Sequence, residues 1–356
     1  MKISKIYANN INFKTILFDK GINFILSSEN GVGKSSLFKL IDFCLLGDKS
    51  FLGIEHFNGY VFYIELQIAS NRYITIKRPT LGGKNIELKI TKQKSMLVDE
   101  KSFDKKGSLG VAKSFFENKV NYSINKFRTY INYFLRDEEN QNDVFILNKY
   151  KQSHEIEYKT VVSNLLGIDG RKIKRKYEIE KKLDKVEVNS TEQKTLHEEL
   201  EKVINENKIL LDNFVIEKLQ ISIRKYGKMI FNKEVDLNIF FNTSNDIDFT
   251  ICIDNKTDTT PVEQKLLCFI FASALSEIYV QKRLIKIVAF DAPFCGENNS
   301  YEEGIYNVIH ELYRKGIQTI ITSNEKDIKN HENLNEIKDE YLTGYLSADD
   351  KLMGEF

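Results

Sequence analysis

The segment that most constrains this chain is Ser28-Glu29-Asn30-Gly31-Val32-Gly33-Lys34-Ser35-Ser36. An apolar run, Ile22 to Leu26, leads into it, and Leu37, Leu40, Ile41, Cys44 and Leu45 recur behind it at helical spacing. Gly47 is placed to end that helix. Glycines between a strand and a helix let the backbone turn so tightly that successive N–H groups converge, and the helix N-terminus adds its partial positive charge to them. Such a junction binds phosphate. The segment follows G-x-x-x-x-G-K-[ST] except at its first position, which holds Ser28. Glu29, Asn30, Gly31, Val32, Gly33, Lys34, Ser35 and Ser36 are therefore candidate ATP-binding residues, with Lys34 reaching the β- and γ-phosphates and the Ser35 hydroxyl ligating Mg²⁺. A turn with a chance lysine would account for the residues, but not for their register with both strand and helix.

A loop of this kind needs a second strand ending in an acid that holds the Mg²⁺. Ile285-Lys286-Ile287-Val288-Ala289-Phe290-Asp291 has that form, so Ser35 and Asp291 form the expected Mg²⁺ pair. Many buried strands end in Asp, and it is the phosphate loop that gives this one meaning.

Other chemistries find little support. The four cysteines (Cys44, Cys252, Cys268, Cys295) form no C-x-x-C pair and the histidines are scattered, which argues against a zinc site or a disulfide framework. A net charge of +1 announces neither nucleic acid nor membrane. The first residues carry no apolar signal core, and no run approaches the 18 or so apolar residues of a membrane span, so a cytoplasmic protein is expected, with no membrane partner.

The order of patterns is α/β. Strands are expected around residues 3–8, 16–18, 22–26, 60–68, 73–78 and 86–90, with a turn at Ser70-Asn71, another at Gly82-Gly83, and a loop over 95–110. Helical spacing follows from 111. Residues 171–187 and 192–220 are charged with a thin apolar stripe and predict a helical hairpin, its second arm capped by Ser190 with Gln193. Strands return at 237–241, 248–253, 285–290 and 319–322. A long apolar helix from Pro261 and a helix at 301–315, capped by Ser300 with Glu303, lie among them. Apolar strands alternating with helices imply a mostly parallel sheet covered on both faces.

A phosphate loop near the start, its acidic strand near the end and a helical hairpin between them resemble the heads of SMC-type ATPases. In those proteins a coiled coil splits an ABC fold and the loop commonly reads Asn-Gly-x-Gly-Lys-Ser, as in Asn30 to Ser35. The stretch Phe127-Arg128-Thr129-Tyr130-Ile131-Asn132-Tyr133-Phe134-Leu135-Arg136-Asp137, then Leu165-Leu166-Gly167-Ile168-Asp169 and the tail from Tyr345 to Phe356, is similar to the ATPase subunit of bacterial ABC-three-component systems. The resemblance implies an ABC-type P-loop NTPase head. It would have a mixed sheet and an antiparallel β subdomain, and be split by a short antiparallel helical hairpin, the stub of a coiled coil. The divisions expected are an N-terminal lobe at 1–170, the hairpin at 171–220 and a C-terminal lobe at 221–356. It further implies a homodimer closed around ATP, protein partner subunits, and DNA as a candidate partner in bacterial defence or repair.

Three departures from that family bear on chemistry. The Ser-Gly-Gly-Glu signature is replaced by Thr260-Pro261-Val262-Glu263-Gln264-Lys265. Thr260 stands at the Ser position and both glycines are gone, although Thr260, Pro261 and Glu263 also make a good helix start. After Asp291 the usual Glu is Ala292, and the usual switch His falls on Asn324, which can hydrogen-bond but not act as a base near neutral pH. Asp291 and Asn324 remain the candidate catalytic residues, with slow hydrolysis expected; Asp137, Glu138, Glu297 and Glu325 are candidate substitutes for the missing acid, and Gln141 for the Mg²⁺-touching Gln. A scaffold that binds ATP without hydrolysing it, or a P-loop kinase, are the competing readings. The basic stretch Arg171-Lys172-Lys174-Arg175-Lys176 could meet a phosphate backbone or be a solvated helix face.

Overall fold

The structure is a computed structural model describing residues 1–47, 57, 59–81, 85–92, 103–120, 124–186, 191–209, 214–281, 285–294, 299–347 and 351–352. The expected turn at Gly82-Gly83, the cap at Ser190 and the candidate acid Glu297 fall outside these residues. Contacts gather the chain into two units, Met1–Glu138 with Tyr279–Phe356, and Glu139–Ile278.

The first unit opens with β1 (Lys2–Ala8), β2 (Ile16–Leu17), β3 (Ile22–Ser27) and α1 (Lys34–Cys44). Next come β4 (Val61–Ala69), β5 (Arg72–Pro79), β6 (Ile86–Thr91), β7 (Lys105–Gly107), α2 (Leu109–Val120), α3 (Ile124–Tyr130) and β8 (Leu135–Arg136). The second unit holds α4 (Glu155–Leu165), α5 (Gly170–Leu183), α6 (Thr191–Ile209), α7 (Phe214–Phe231), β9 (Val235–Phe241), β10 (Ile247–Ile253) and most of α8 (Pro261–Gln281). The chain then returns to the first unit with β11 (Ile287–Asp291), α9 (Glu302–Arg314), β12 (Gln318–Asn324), α10 (His331–Glu336) and β13 (Leu342–Leu346).

Two sheets build the first unit. One is antiparallel, in the order β2-β1-β4-β5-β6-β7. Its β4–β5 hairpin turns through Asn71 at φ 54°, a left-handed conformation that Asn tolerates better than most residues. The other runs β13-β3-β12-β11-β8, parallel throughout. Its inner strands β3, β12 and β11 are buried at every residue, as a parallel sheet covered on both faces requires. The helix α9 lays Ile305, Val308, Ile309 and Leu312 into the interior at helical spacing.

In the second unit α5 and α6 lie antiparallel. Lys172 Nζ meets Glu206 at 2.9 Å and Arg175 Nη2 meets Glu199 at 2.6 Å, so the partner's number falls as the first rises. All five cations of the basic stretch are paired: Arg171 with Asp169, Lys172 with Glu206, Lys174 with Glu178, Arg175 with Glu199, and Lys176 with Asp246. Lys176 is buried on the inner face of α5 and bonds Glu180 at 2.8 Å as well. Residues 266–275 of α8 are completely buried, which explains a helix apolar on all sides. Among the described residues no helix is long and apolar enough to cross a membrane.

Three local expectations are corrected. Residues 105–107 are a strand rather than loop, because β6 leaves an edge with which they pair, and α2 already begins at 109. The run 192–220 is two helices, α6 ending at 209 and α7 starting at 214; thin apolar stripes on both sides hid the break. Ser300 does not cap α9: residues 299–301 form a 3₁₀ turn, Tyr301 is the N-cap without a side-chain bond, and Glu303 accepts from Asn307 instead.

The end of α1 shows what part of the Phe127–Asp137 motif does. Leu46 takes the left-handed turn at φ 68°, and Gly47 is needed for space, since a Cβ there would lie 2.4 Å from Asp42 Oδ2. Arg128 of α3 closes the terminus, with Nη2 2.6 Å from Asp42 Oδ1 and Nη1 3.3 Å from the Leu45 carbonyl. A guanidinium there satisfies terminal carbonyls and offsets the negative end of the helix. Arg128→Ala is expected to destabilise the fold by about 2 kcal/mol in urea unfolding, with Arg128→Lys recovering only part, because an ammonium cannot span both acceptors.

Candidate nucleotide-binding site

The parallel register assembles the site. Ser27, the last residue of β3, lies beside Asn324 at the end of β12, and Asp291, the last of β11, lies beside Thr322. Four polar side chains thus gather at the carboxyl ends of adjacent strands, where open α/β sheets hold their ligands. Above them the chain passes from β3 through residues 28–33 into α1.

Gly31 and Gly33 stand at φ 81° and 102°, in the left-handed region that costs other residues roughly 1–2 kcal/mol. Gly33 is the N-cap of α1 and supplies no side-chain cap, and the first turn holds no acidic residue. The opening N–H groups of α1 therefore keep their capacity for an anion.

Lys34 is buried, 8% exposed, and its ammonium has three acceptors, matching its three protons: Ser27 Oγ, the Glu29 carbonyl at 2.9 Å and Asn324 Oδ1 at 2.7 Å. Burial holds its pKa below the ordinary lysine value, while the charges of Asp291 and Asp327 act in the opposite direction. Ser35 Oγ donates to Asp291 Oδ2 at 2.6 Å, and Thr322 Oγ1 donates to the other carboxylate oxygen. Asn324 connects loop and sheet: its Oδ1 accepts from Lys34, and its Nδ2 donates to Asn30 Oδ1 at 2.9 Å and Asp327 Oδ2 at 3.0 Å.

The structure thus joins Asn30, Lys34 and Asn324 by direct hydrogen bonds, and Ser35 to Asp291 by another. Glu29 contributes its carbonyl, Gly31 and Gly33 the turn, Val32 a buried apolar side chain, and Ser36 follows Ser35 in α1. Thr260 lies in the other unit and caps α8: its N–H and hydroxyl donate to Glu263 at 2.9 and 3.0 Å, and Glu263 N–H donates back to Thr260 Oγ1 at 3.2 Å. Gln141 also belongs to that unit, and its carbonyl accepts from the Cys268 thiol.

Ala292 follows the acid in a left-handed conformation, φ 48°, with its N–H donating to the Thr322 carbonyl at 2.9 Å. A non-glycine residue so placed immediately before a proline is strained, and such strain gathers at functional sites. Of the candidate acids, Glu325 is engaged by Lys338 and by the Tyr345 hydroxyl at 2.9 Å, which together hold its carboxyl below the usual range. Glu138 is exposed. Asp137 follows Arg136, which pairs with Phe290, so it comes next after a pair whose β11 member precedes Asp291.

Ser27, Thr322 and Asp327 are the participants that sequence reasoning missed. Ser27 and Thr322 had a legible signal, since each is a hydroxyl breaking an apolar buried run at a strand's carboxyl end.

No family model matches the chain, and no curated protein is similar to it in sequence. Solved structures do match. An Smc head domain with an extended coiled coil, derived from Pyrococcus furiosus and bound to the C-terminal domain of ScpA, aligns with a TM-score of 0.51 at 13% identity, over 92% of this chain and 90% of that one. The chain is folded like an Smc head. An SmcHead bound to the C-winged helix domain of ScpA also aligns, with a TM-score of 0.49 at 13% identity, over 91% of this chain and 90% of that chain. At such identity the likeness is one of fold.

The Thr322 hydroxyl is the partner of Asp291 that can be removed without touching the loop. Thr322→Val is expected to cost about 2 kcal/mol in urea unfolding, the worth of a hydrogen bond to a buried carboxylate, and Thr322→Ser to restore most of it.

Proposed function

We propose that the chain is the ATP-binding head of an SMC-like ABC ATPase, similar in kind to the ATPase subunit of bacterial ABC-three-component systems. The observation that carries this reading is the placement of Lys34, Ser35 and Asp291 under an uncapped helix N-terminus at the carboxyl ends of a parallel sheet. The phosphates would lie along residues 29–36, with loop N–H groups and those of α1 facing their oxygens. Lys34 would exchange its three present acceptors for β- and γ-phosphate oxygens. A hard oxygen pair 2.6 Å apart, Ser35 Oγ and Asp291 Oδ2, fits Mg²⁺ in ligand type, and Thr322 holds the other carboxylate oxygen in place. Bound there, Mg²⁺ would neutralise charge on the β- and γ-phosphates.

The proposal extends to a homodimer in which Thr260 and the start of α8 of one copy face the nucleotide of the other. The antiparallel α5–α6 pair is then the coiled-coil stub between lobes at 1–170 and 221–356. Protein partner subunits, DNA, a cytoplasmic setting and a role in bacterial defence or repair rest on family resemblance. The paired cations of α5 lend the DNA contact no support of their own.

Calorimetry with Mg-ATP tests the reading. Wild-type protein is expected to bind, and Lys34→Ala to weaken binding about 100-fold or more, since it removes a desolvated charge from the phosphates. Unchanged affinity in a folded Lys34→Ala protein overturns the assignment. The sign of the pH dependence follows from the lowered Lys34 pKa: a triphosphate favours the charged ammonium and raises that pKa on binding. Affinity is therefore full below the pKa of the free protein and falls as pH rises through it, with proton uptake there.

A second reading, a scaffold that holds ATP without hydrolysing it, is favoured by Ala292, whose methyl cannot polarise a water. Turnover separates the two. The ATPase reading expects slow hydrolysis, raised on the order of 100-fold in Ala292→Glu if the water lies where the missing acid would serve it. The scaffold reading expects nucleotide-dependent dimers in sedimentation with no turnover in either protein.

A further inference from the structure

The chain end returns to the phosphate loop. Ser28 N–H donates to the Leu346 carbonyl at 3.2 Å, where β13 runs beside β3. Farther on, Leu352 N–H donates to the Val32 carbonyl at 3.2 Å, and the Leu352 carbonyl accepts from Lys14 N–H at 3.2 Å. The Lys14 ammonium also reaches the Tyr345 carbonyl, at 2.8 Å. Leu352 is thus bracketed by main-chain bonds between the loop after β1 and the phosphate loop, and its side chain is 2% exposed. It packs on Gly33 so closely that a Cβ built there would lie 2.9 Å from Leu352 Cβ.

We infer that Leu352 is a positioning residue for the phosphate loop, and that seating of Leu352 and nucleotide binding favour one another. The inference rests on the nucleotide reading above. Its physical basis is the choice of groups. The tail uses the carbonyl of Val32, whereas an anion draws on N–H groups, so seated tail and bound phosphate do not compete there. Gly33 at φ 102° belongs to a backbone with wide freedom in isolation, and a leucine wedged against it removes the conformations in which the loop N–H groups diverge. Ordering the loop beforehand lowers the entropy lost when phosphate binds. By linkage, whatever the seated tail gives to nucleotide affinity, nucleotide returns to tail seating.

The test uses the full chain and Mg-ATP, with Leu352→Ala as the main variant and Leu352→Met as the volume-conserving control. Calorimetry is expected to show affinity reduced about tenfold in Leu352→Ala and near wild type in Leu352→Met. Hydrogen exchange on the wild-type protein is expected to slow in the C-terminal peptide by about the same factor when Mg-ATP is added, and not to slow in Lys34→Ala. This second reading needs no variant at Leu352, and a side chain that only stabilised the core would leave it unmoved. Wild-type protein that binds no Mg-ATP overturns the nucleotide reading and this inference with it. Wild-type binding with equal affinity in Leu352→Ala, or C-terminal exchange indifferent to Mg-ATP, overturns the role of Leu352 alone.

Discussion

The in-register parallel pairing of β3, β12 and β11 is the constraint on which the site depends. It sets Ser27 beside Asn324 and Asp291 beside Thr322, and so decides which polar groups face Lys34 and Ser35. A slip of one residue in any of these strands would turn its terminal side chain to the opposite face. Such a slip would leave a buried lysine without its acceptors and a carboxylate without its hydroxyls, a cost of several kcal/mol for uncompensated buried charge. The apolar strands and the polar residues that end them therefore specify one register together.

Within that frame the polar side chains fall into two hydrogen-bonded groups. Lys34 is bonded to Asn324 and Ser27, and the Asp291 carboxylate to Ser35 and Thr322. Position 292, next to the Asp291 carboxylate, has only a methyl on a strained backbone.

Five cations within six residues of α5 read in sequence either as a contact for a phosphate backbone or as a solvated helix face. In the structure Lys176 is turned inward to Asp246 and Glu180, and Lys172 and Arg175 join α5 to α6. Exposed pairs of this kind are worth a few tenths of a kcal/mol each. Two of them, Lys172 with Glu206 and Arg175 with Glu199, run between α5 and α6.

Much of the architecture was legible because its signals are local. The turn from β3 into α1 needs glycines with left-handed backbone, and buried parallel strands need unbroken apolar runs. The start of α8 needs a threonine, a proline and a glutamate in that order. Each requirement is met by neighbours in the chain, so the sequence alone determined the glycine turn at 28–33, the strand ending in Asp291 and the alternation of strands and helices. The tertiary structure decided what depends on residues far apart. Pairing with the edge of β6 made a strand of 105–107, and a 3₁₀ entry displaced the cap expected at Ser300. Acids distant in the chain, Glu206, Glu199 and Asp246, took up Lys172, Arg175 and Lys176 of the basic stretch. Arg128 found the end of α1 and Leu352 the face of Gly33 only once the fold had closed. A hydrogen bond or a close contact between distant segments leaves no periodicity in either, and so only the folded chain reveals it.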